Sequence, residues 1–258
     1  MIKFFRNIRQ QLFTENPPAG RAGKFSKYLT YAFGEIILVV IGILIALQIN
    51  TWNVNRLDRI KEIKYLKNIK LDLTKDIKST AYNINFRKKK LEGTTKLLSQ
   101  INGQAIDDVS ELTFNVLNTL YQERFQPSNV TFKELNNSGN LNLISNDSIK
   151  LLLLELEILY QNNTFGIEHE TFEYHEFISK SIFRNVNLEP MKLVFLGEKA
   201  AQEMNIKEQD FNKLFQSQEY KNGCLVVNWT TVDMISIYES IESTSKKIIA
   251  LIDTEIES

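Results

Sequence analysis

A single cysteine, Cys224, excludes an internal disulfide, so nothing covalent staples this 258-residue chain. Only two histidines occur, His169 and His175, which leaves little for histidine-based catalysis. The four prolines stand at positions 17, 18, 127 and 190, so no ring interrupts a helix between residues 19 and 126. No G-x-S-x-G elbow, P-loop or dinucleotide fingerprint is present, and no strand alternation or internal repeat. Net charge is also missing: 31 Lys and Arg balance 31 Asp and Glu. With no recognised nucleic-acid motif beside the basic residues, a nucleic-acid partner is not expected.

What is present is one dense apolar run, Ile36-Ile37-Leu38-Val39-Val40-Ile41-Gly42-Ile43-Leu44-Ile45-Ala46-Leu47. Alone it is too short to cross a bilayer, which asks for about 20 residues. The flanks extend it: between Lys27 and Arg56 the only charge is Glu35, and Tyr28, Tyr31 and Trp52 lie where interfacial aromatics belong. A helix from Tyr28 to Ile49 is about 33 Å long. A cleaved signal peptide fits less well, because 27 residues precede the run and no small-x-small site follows Leu47. A soluble core helix is the other alternative. The expected organisation is a basic cytoplasmic tail at 1–27 with an amphipathic helix, a transmembrane helix at 28–52, and a helical bundle at 53–258. The expected partner is a lipid bilayer.

Topology rests on charge. Residues 1–27 carry six Lys and Arg, and residues 51–70 also carry six, so the positive-inside count ties. Long domains translocate regardless of charge, and a basic tail favours the anionic cytoplasmic leaflet. The tail, with Ile2, Phe5, Ile8 and Leu12 along one side, is therefore placed inside and the bundle in the periplasm of a bacterial inner membrane.

Past the span, helical patterning runs from Asn53 to Ile101. Ile63, Ile77, Ile84, Leu91 and Leu98 form an expected core stripe, and Leu66, Leu73 and Ile101 share a second heptad position that Arg87 and Thr94 interrupt. Asp107-Asp108 caps a second helix, which Pro127-Ser128-Asn129 ends. Thr131-Phe132-Lys133-Glu134 has capping-box spacing for a short helix. Ser138-Gly139-Asn140 breaks it. Asn146-Asp147 caps a leucine-rich helix that bends or restarts at Gly166. Residues 191–222 read as short helices and loop, and the last helix runs from Leu225 to Ile256. Residues 56–102 carry thirteen bases against five acids, and residues 201–258 carry five against ten, which suits antiparallel neighbours in one all-α bundle.

Two stretches then carry a resemblance. One is Ile2-Lys3-Phe4-Phe5-Arg6 followed by Gly34-Glu35-Ile36 through Leu47-Gln48-Ile49-Asn50. The other is Thr131-Phe132-x-Glu134-Leu135 with Ser138-Gly139-Asn140-Leu141-x-Leu143-Ile144. Together they resemble an uncharacterised family of single-span proteins from flavobacteria and related Bacteroidota. The resemblance implies an anchored helical domain of the cell envelope, and it brings no reaction, cofactor or catalytic residue.

Three groups of residues are functional candidates. His169, Glu173 and Glu176 share a helix face that can hold a metal, but the spacing is not H-E-x-x-H and no Glu-x-x-His pair exists, so a solvated acidic face is the preferred reading. Glu35, Gly42, Ala46 and Asn53 fall within about 20° of one line on a helix. Gly42-x-x-x-Ala46 lets two backbones approach, making this line a candidate pairing seam for a second copy or another membrane protein. Ser138, Gly139, Asn140 and Leu141 form either a structural turn or a ligand-facing loop. The expected function is non-enzymatic: an envelope interaction or sensor-like module. The alternatives are a membrane-tethered metal-dependent enzyme and an accessory subunit that pairs through its span.

Overall fold

A computed structural model describes residues 21–191 and 206–257. The amphipathic tail helix expected over residues 2–12 lies outside the described residues, as does the 192–205 part of the short helices and loop expected over 191–222. Every regular element described is helical, and no strand occurs among the described residues. The elements are α1 (Arg21–Ile101), α2 (Val109–Asn118), α3 (Val130–Asn137), α4 (Asp147–Glu173), α5 (Lys180–Asn185), α6 (Asn212–Phe215) and α7 (Gln218–Glu257). Contacts divide the chain into two units, residues 1–60 and 61–258.

In the first unit, the described side chains from Tyr31 to Arg56 are all exposed, the apolar run Ile36–Leu47 included. By length and composition this helix can cross a membrane.

The second unit is a bundle. Its caps follow local chemistry. The Asp108 carboxylate accepts from Ser110 N at 2.7 Å and starts α2, and the Asn146 amide oxygen accepts from Ile149 N at 3.2 Å and starts α4. The long helices α1 and α4 run parallel, joined at Glu62–Ser145, Asp76–Tyr160 and Arg87–Glu170. Helix α7 runs antiparallel to α1, through the ion pairs Lys70–Asp253 and Lys88–Glu239. The basic and acidic segments are therefore neighbours, as their charge suggests.

Five expectations are corrected here. First, of the expected stripe only Ile84 and Leu98 are buried, and Ile63, Ile77 and Leu91 are half-buried beside the main buried line of α1. That line is Glu62, Leu66, Ile69, Leu73, Asp76, Thr80, Asn83, Arg87, Lys90, Thr94 and Leu97, an unbroken alternation of steps of four and three. Second, α2 ends at Asn118, well before Pro127, and an irregular segment follows. Third, α3 starts at Val130, and Thr131 does not cap it. Its hydroxyl and N–H both donate to Asp72, at 2.7 and 3.3 Å. Fourth, of the bend or restart expected at Gly166, the restart does not occur, because α4 is one helix from Asp147 to Glu173. The glycine is there because Met234 of α7 packs onto it, and a Cβ would stand 2.2 Å from the Met234 sulfur. The irregularity falls later, in a π-helical stretch at Tyr174–Ser179. Fifth, α7 begins at Gln218, seven residues before Leu225, because Tyr220, Gly223 and Cys224 are already core positions.

Two apolar cores fill the unit. One gathers Leu66, Ile69 and Leu73 with Leu153, Leu156, Tyr238 and Ile241. The other gathers Leu97 and Leu98 with Leu112, Val116, Ile178, Phe211 and Tyr220. Along α1, Thr80, Asn83, Arg87, Lys90 and Thr94 are buried polar residues, interrupted only by Ile84 of the first core.

Candidate functional site

A buried polar layer is the most chemically loaded place in the bundle, and the backbone opposite it explains its composition. Residues 121–129 form no helix, so apart from Tyr121 N, which donates to Asn118 O, and Asn129 O, which accepts from Lys133 N, their N–H and C=O groups lack helical partners while they lie against α1 and α4. Such groups cost free energy when buried unpaired, and side chains here satisfy them. Lys90 Nζ donates to Tyr121 O at 2.9 Å, and Arg87 Nη2 to Glu123 O at 3.3 Å. Asn163 Nδ2 donates to Phe125 O at 3.3 Å. From the acidic side, Asp76 accepts from Ser128 N at 2.7 Å. Further along, Asp72 takes Thr131 N, and Glu62 takes Ser145 N at 2.6 Å. Bases on α1 thus meet carbonyls of the segment, and Asp76 meets its Ser128 amide.

Arg87 is the hub. Its side chain is 2 % exposed, against 12 % for Glu170. The guanidinium bonds Glu170 through both carboxylate oxygens, with Nη2 2.7 Å from Oε2. It also lies 5.1 Å over the Tyr238 ring and donates to that hydroxyl at 3.3 Å. Burial works against the arginine charge, but the Glu170 bonds and charge outweigh it and leave the pKa above its usual value. One step along, burial lowers Lys90 from 10.5 to about 8, against the opposing attraction of Glu170. Burial raises the Asp76 carboxyl, although Tyr160 OH donates to it at 2.6 Å. The Cys224 thiol is pushed up to about 12 by burial, so it is a poor nucleophile.

The candidates read from sequence fall as follows. Glu173 is buried and accepts from Thr230 Oγ1 at 2.9 and 3.0 Å, with His169 Nδ1 2.9 Å away. Glu176 pairs instead with Lys180 at 2.7 Å. Among the described residues no group of three His, Cys, Asp or Glu side chains is placed to hold a metal. A recess lined by Lys90, Thr119, Gln122, Glu170 and Glu173 has room for about one water.

In the loop, Gly139 takes φ +70°, the left-handed conformation that favours glycine. Asn140 Nδ2 donates to Ser138 Oγ at 2.9 Å. Leu141 packs against the first core between buried Leu135 and Ile144. In the apolar helix, Gly42 has open space where a Cβ would stand, and Glu35, Ala46 and Asn53 are exposed. Arg87, Lys90, Asp76 and Glu170 were missed as candidates. Arg87 stood out only as an interruption, and the four-three spacing that continues through it is the signal that marks all three α1 residues as inward-facing.

These features define an all-α bundle with a polar layer that grips an irregular internal segment, joined in sequence to an exposed apolar helix. The chain belongs to a family of unknown function, DUF6090, which matches residues 35–175. The match takes in the apolar run, α1 beyond Glu35, the irregular segment at 121–129, the Gly139 loop and the polar residues of α4. No curated protein and no solved structure matches the chain.

Proposed function

We propose that this chain is a single-pass protein of a bacterial inner membrane. Residues 1–27 form the cytoplasmic tail, 28–52 the span and 53–258 a periplasmic helical bundle that works as a non-enzymatic interaction module. The observation that carries the reading is the exposure of Ile36–Leu47 on one uninterrupted helix. A run this apolar, open on all sides, finds its burial in lipid. The non-enzymatic part is supported by the polar layer: Arg87, Glu170, Glu173 and Asp76 are each engaged in holding the bundle's own chain. Glu35, Gly42, Ala46 and Asn53 serve as the seam by which the span meets a second copy or another membrane protein. Open space around Gly42 supports that role. Ser138, Gly139, Asn140 and Leu141 serve structure, because Leu141 is a core contact and the turn depends on glycine. A phosphatase fused after Ser258 tests the topology. It should be active, with a fluorescent protein at the same position dark. The reverse pattern would place the bundle in the cytoplasm.

A further inference from the structure

Two outward faces of the bundle are complementary. On α4, Leu151, Leu154, Ile158, Phe165 and Phe172 are all exposed, Phe165 by 68 %. They recur in steps of three, four and seven, on the side opposite buried Leu153, Leu156 and Tyr160. The charged residues exposed beside them include Asp147, Glu155 and Glu168. On α1, the side opposite buried Leu66, Leu73 and Thr80 carries Lys64, Lys67, Lys75, Lys78 and Lys89, all exposed. It also carries two exposed apolar side chains, Leu71 and Tyr82.

The register of the unit sets these faces level. The internal links Glu62–Ser145, Asp76–Tyr160 and Arg87–Glu170 join residues 83, 84 and 83 apart. Leu71 and Leu154 have the same separation in sequence, as do Tyr82 and Phe165. A copy displaced sideways, with no shift along its helices, therefore sets Leu71 opposite the neighbour's Leu154 and Tyr82 opposite its Phe165. Lys64 comes level with Asp147. Lys75 and Lys89 come within about one turn of Glu155 and Glu168.

We propose that the occupant of the apolar α4 face is a second copy of this chain, packed side by side and pointing the same way, through the basic outer face of its α1. The proposal rests on the anchored reading, since copies held in one bilayer share a direction. Pairing α4 with another α4 sets carboxylates against carboxylates, and pairing α1 with another α1 sets lysines against lysines, each repulsive. Unlike faces meet, so each copy keeps one of each open and the assembly grows past a dimer.

The test uses the full chain in its membrane. One tagged copy carries Leu71→Cys and a differently tagged copy carries Leu154→Cys. Both sites are exposed, so folding is spared. Oxidation of membranes holding both should give the mixed-tag dimer, with each variant alone at the background level of the parent. A chain carrying both substitutions should give a ladder of oligomers. Glu155→Lys with Glu168→Lys should cut the mixed product several-fold, and Lys75→Glu with Lys89→Glu on the other copy should restore it. Membrane-bound chains that yield no mixed product, or Leu154→Cys dimers as abundant as the mixed ones, would overturn the packing. Chains absent from the membrane fraction would sink the anchored reading, and the shared direction with it.

Discussion

Replacing Arg87 with methionine tests what holds the middle of the bundle. The guanidinium is nearly fully enclosed, and it holds both Glu170 oxygens, Glu123 O and the Tyr238 hydroxyl. Removing it leaves a mostly buried carboxylate without its cation and a carbonyl without its donor. Breaking one side of a buried ion pair costs about 3–5 kcal/mol. Glu170→Leu should cost a similar amount, because Arg87 then keeps its charge in the core with only neutral partners. If the two residues acted independently, the double variant would lose about 6–10 kcal/mol, the sum of the two. It should instead lose about 1–3 kcal/mol, the cost of the unpaired Glu123 carbonyl. Urea titration of the full chain in detergent micelles, followed by circular dichroism, reads the difference as a midpoint shift at constant slope. Additive losses, or single losses under about 1 kcal/mol, would show that the pair is hydrated and that the layer does not organise the bundle.

Lys90 should make stability depend on alkaline pH. Its proton is held more weakly in the fold, at about 8, than in the unfolded chain, at 10.5. Between those values the unfolded state binds the extra proton, so stability rises with pH. Below about 8 both states are protonated and that gain is absent. Melting curves from pH 7 to 10 should show the rise in the parent and a flatter profile in Lys90→Met. Gly139→Ala should lose about 1–2 kcal/mol from the strain of φ +70° in a residue with a Cβ, with Gly139→Asn losing less, read by the same urea titration. In a bacterial two-hybrid assay of spans, Gly42→Ile should weaken association while Ile43→Leu does not. Equal signals would remove the seam.

Local chemistry made much of this fold legible in the sequence. Asp108 and Asn146 cap the helices they were expected to cap, Gly139 turns where a glycine is needed, and the opposed charge of α1 and α7 is realised in Lys70–Asp253 and Lys88–Glu239. The polar layer was hidden because counting only apolar residues selects Ile63, Ile77 and Leu91, which border the buried line. Asp76, Arg87 and Lys90 are polar because they meet backbone about 30–50 positions away in sequence, while Thr80, Asn83 and Thr94 bond carbonyls of their own helix. Leu120 and Tyr121 continue the helical period of α2, so nothing local announces that the chain leaves the helix at Asn118. Likewise Thr131 has the look of a cap, but Asp72, brought close only by the fold, takes its hydroxyl. Gly166 reads as a breaker until Met234 is seen resting on it.

Anchoring by the exposed apolar helix is the claim on which the rest stands, and alkaline carbonate extraction of membranes tests it most directly. The full chain should stay in the pellet, and the same chain lacking residues 29–49 should be released. Full-length protein in the carbonate supernatant would show that Ile36–Leu47 is not held in lipid.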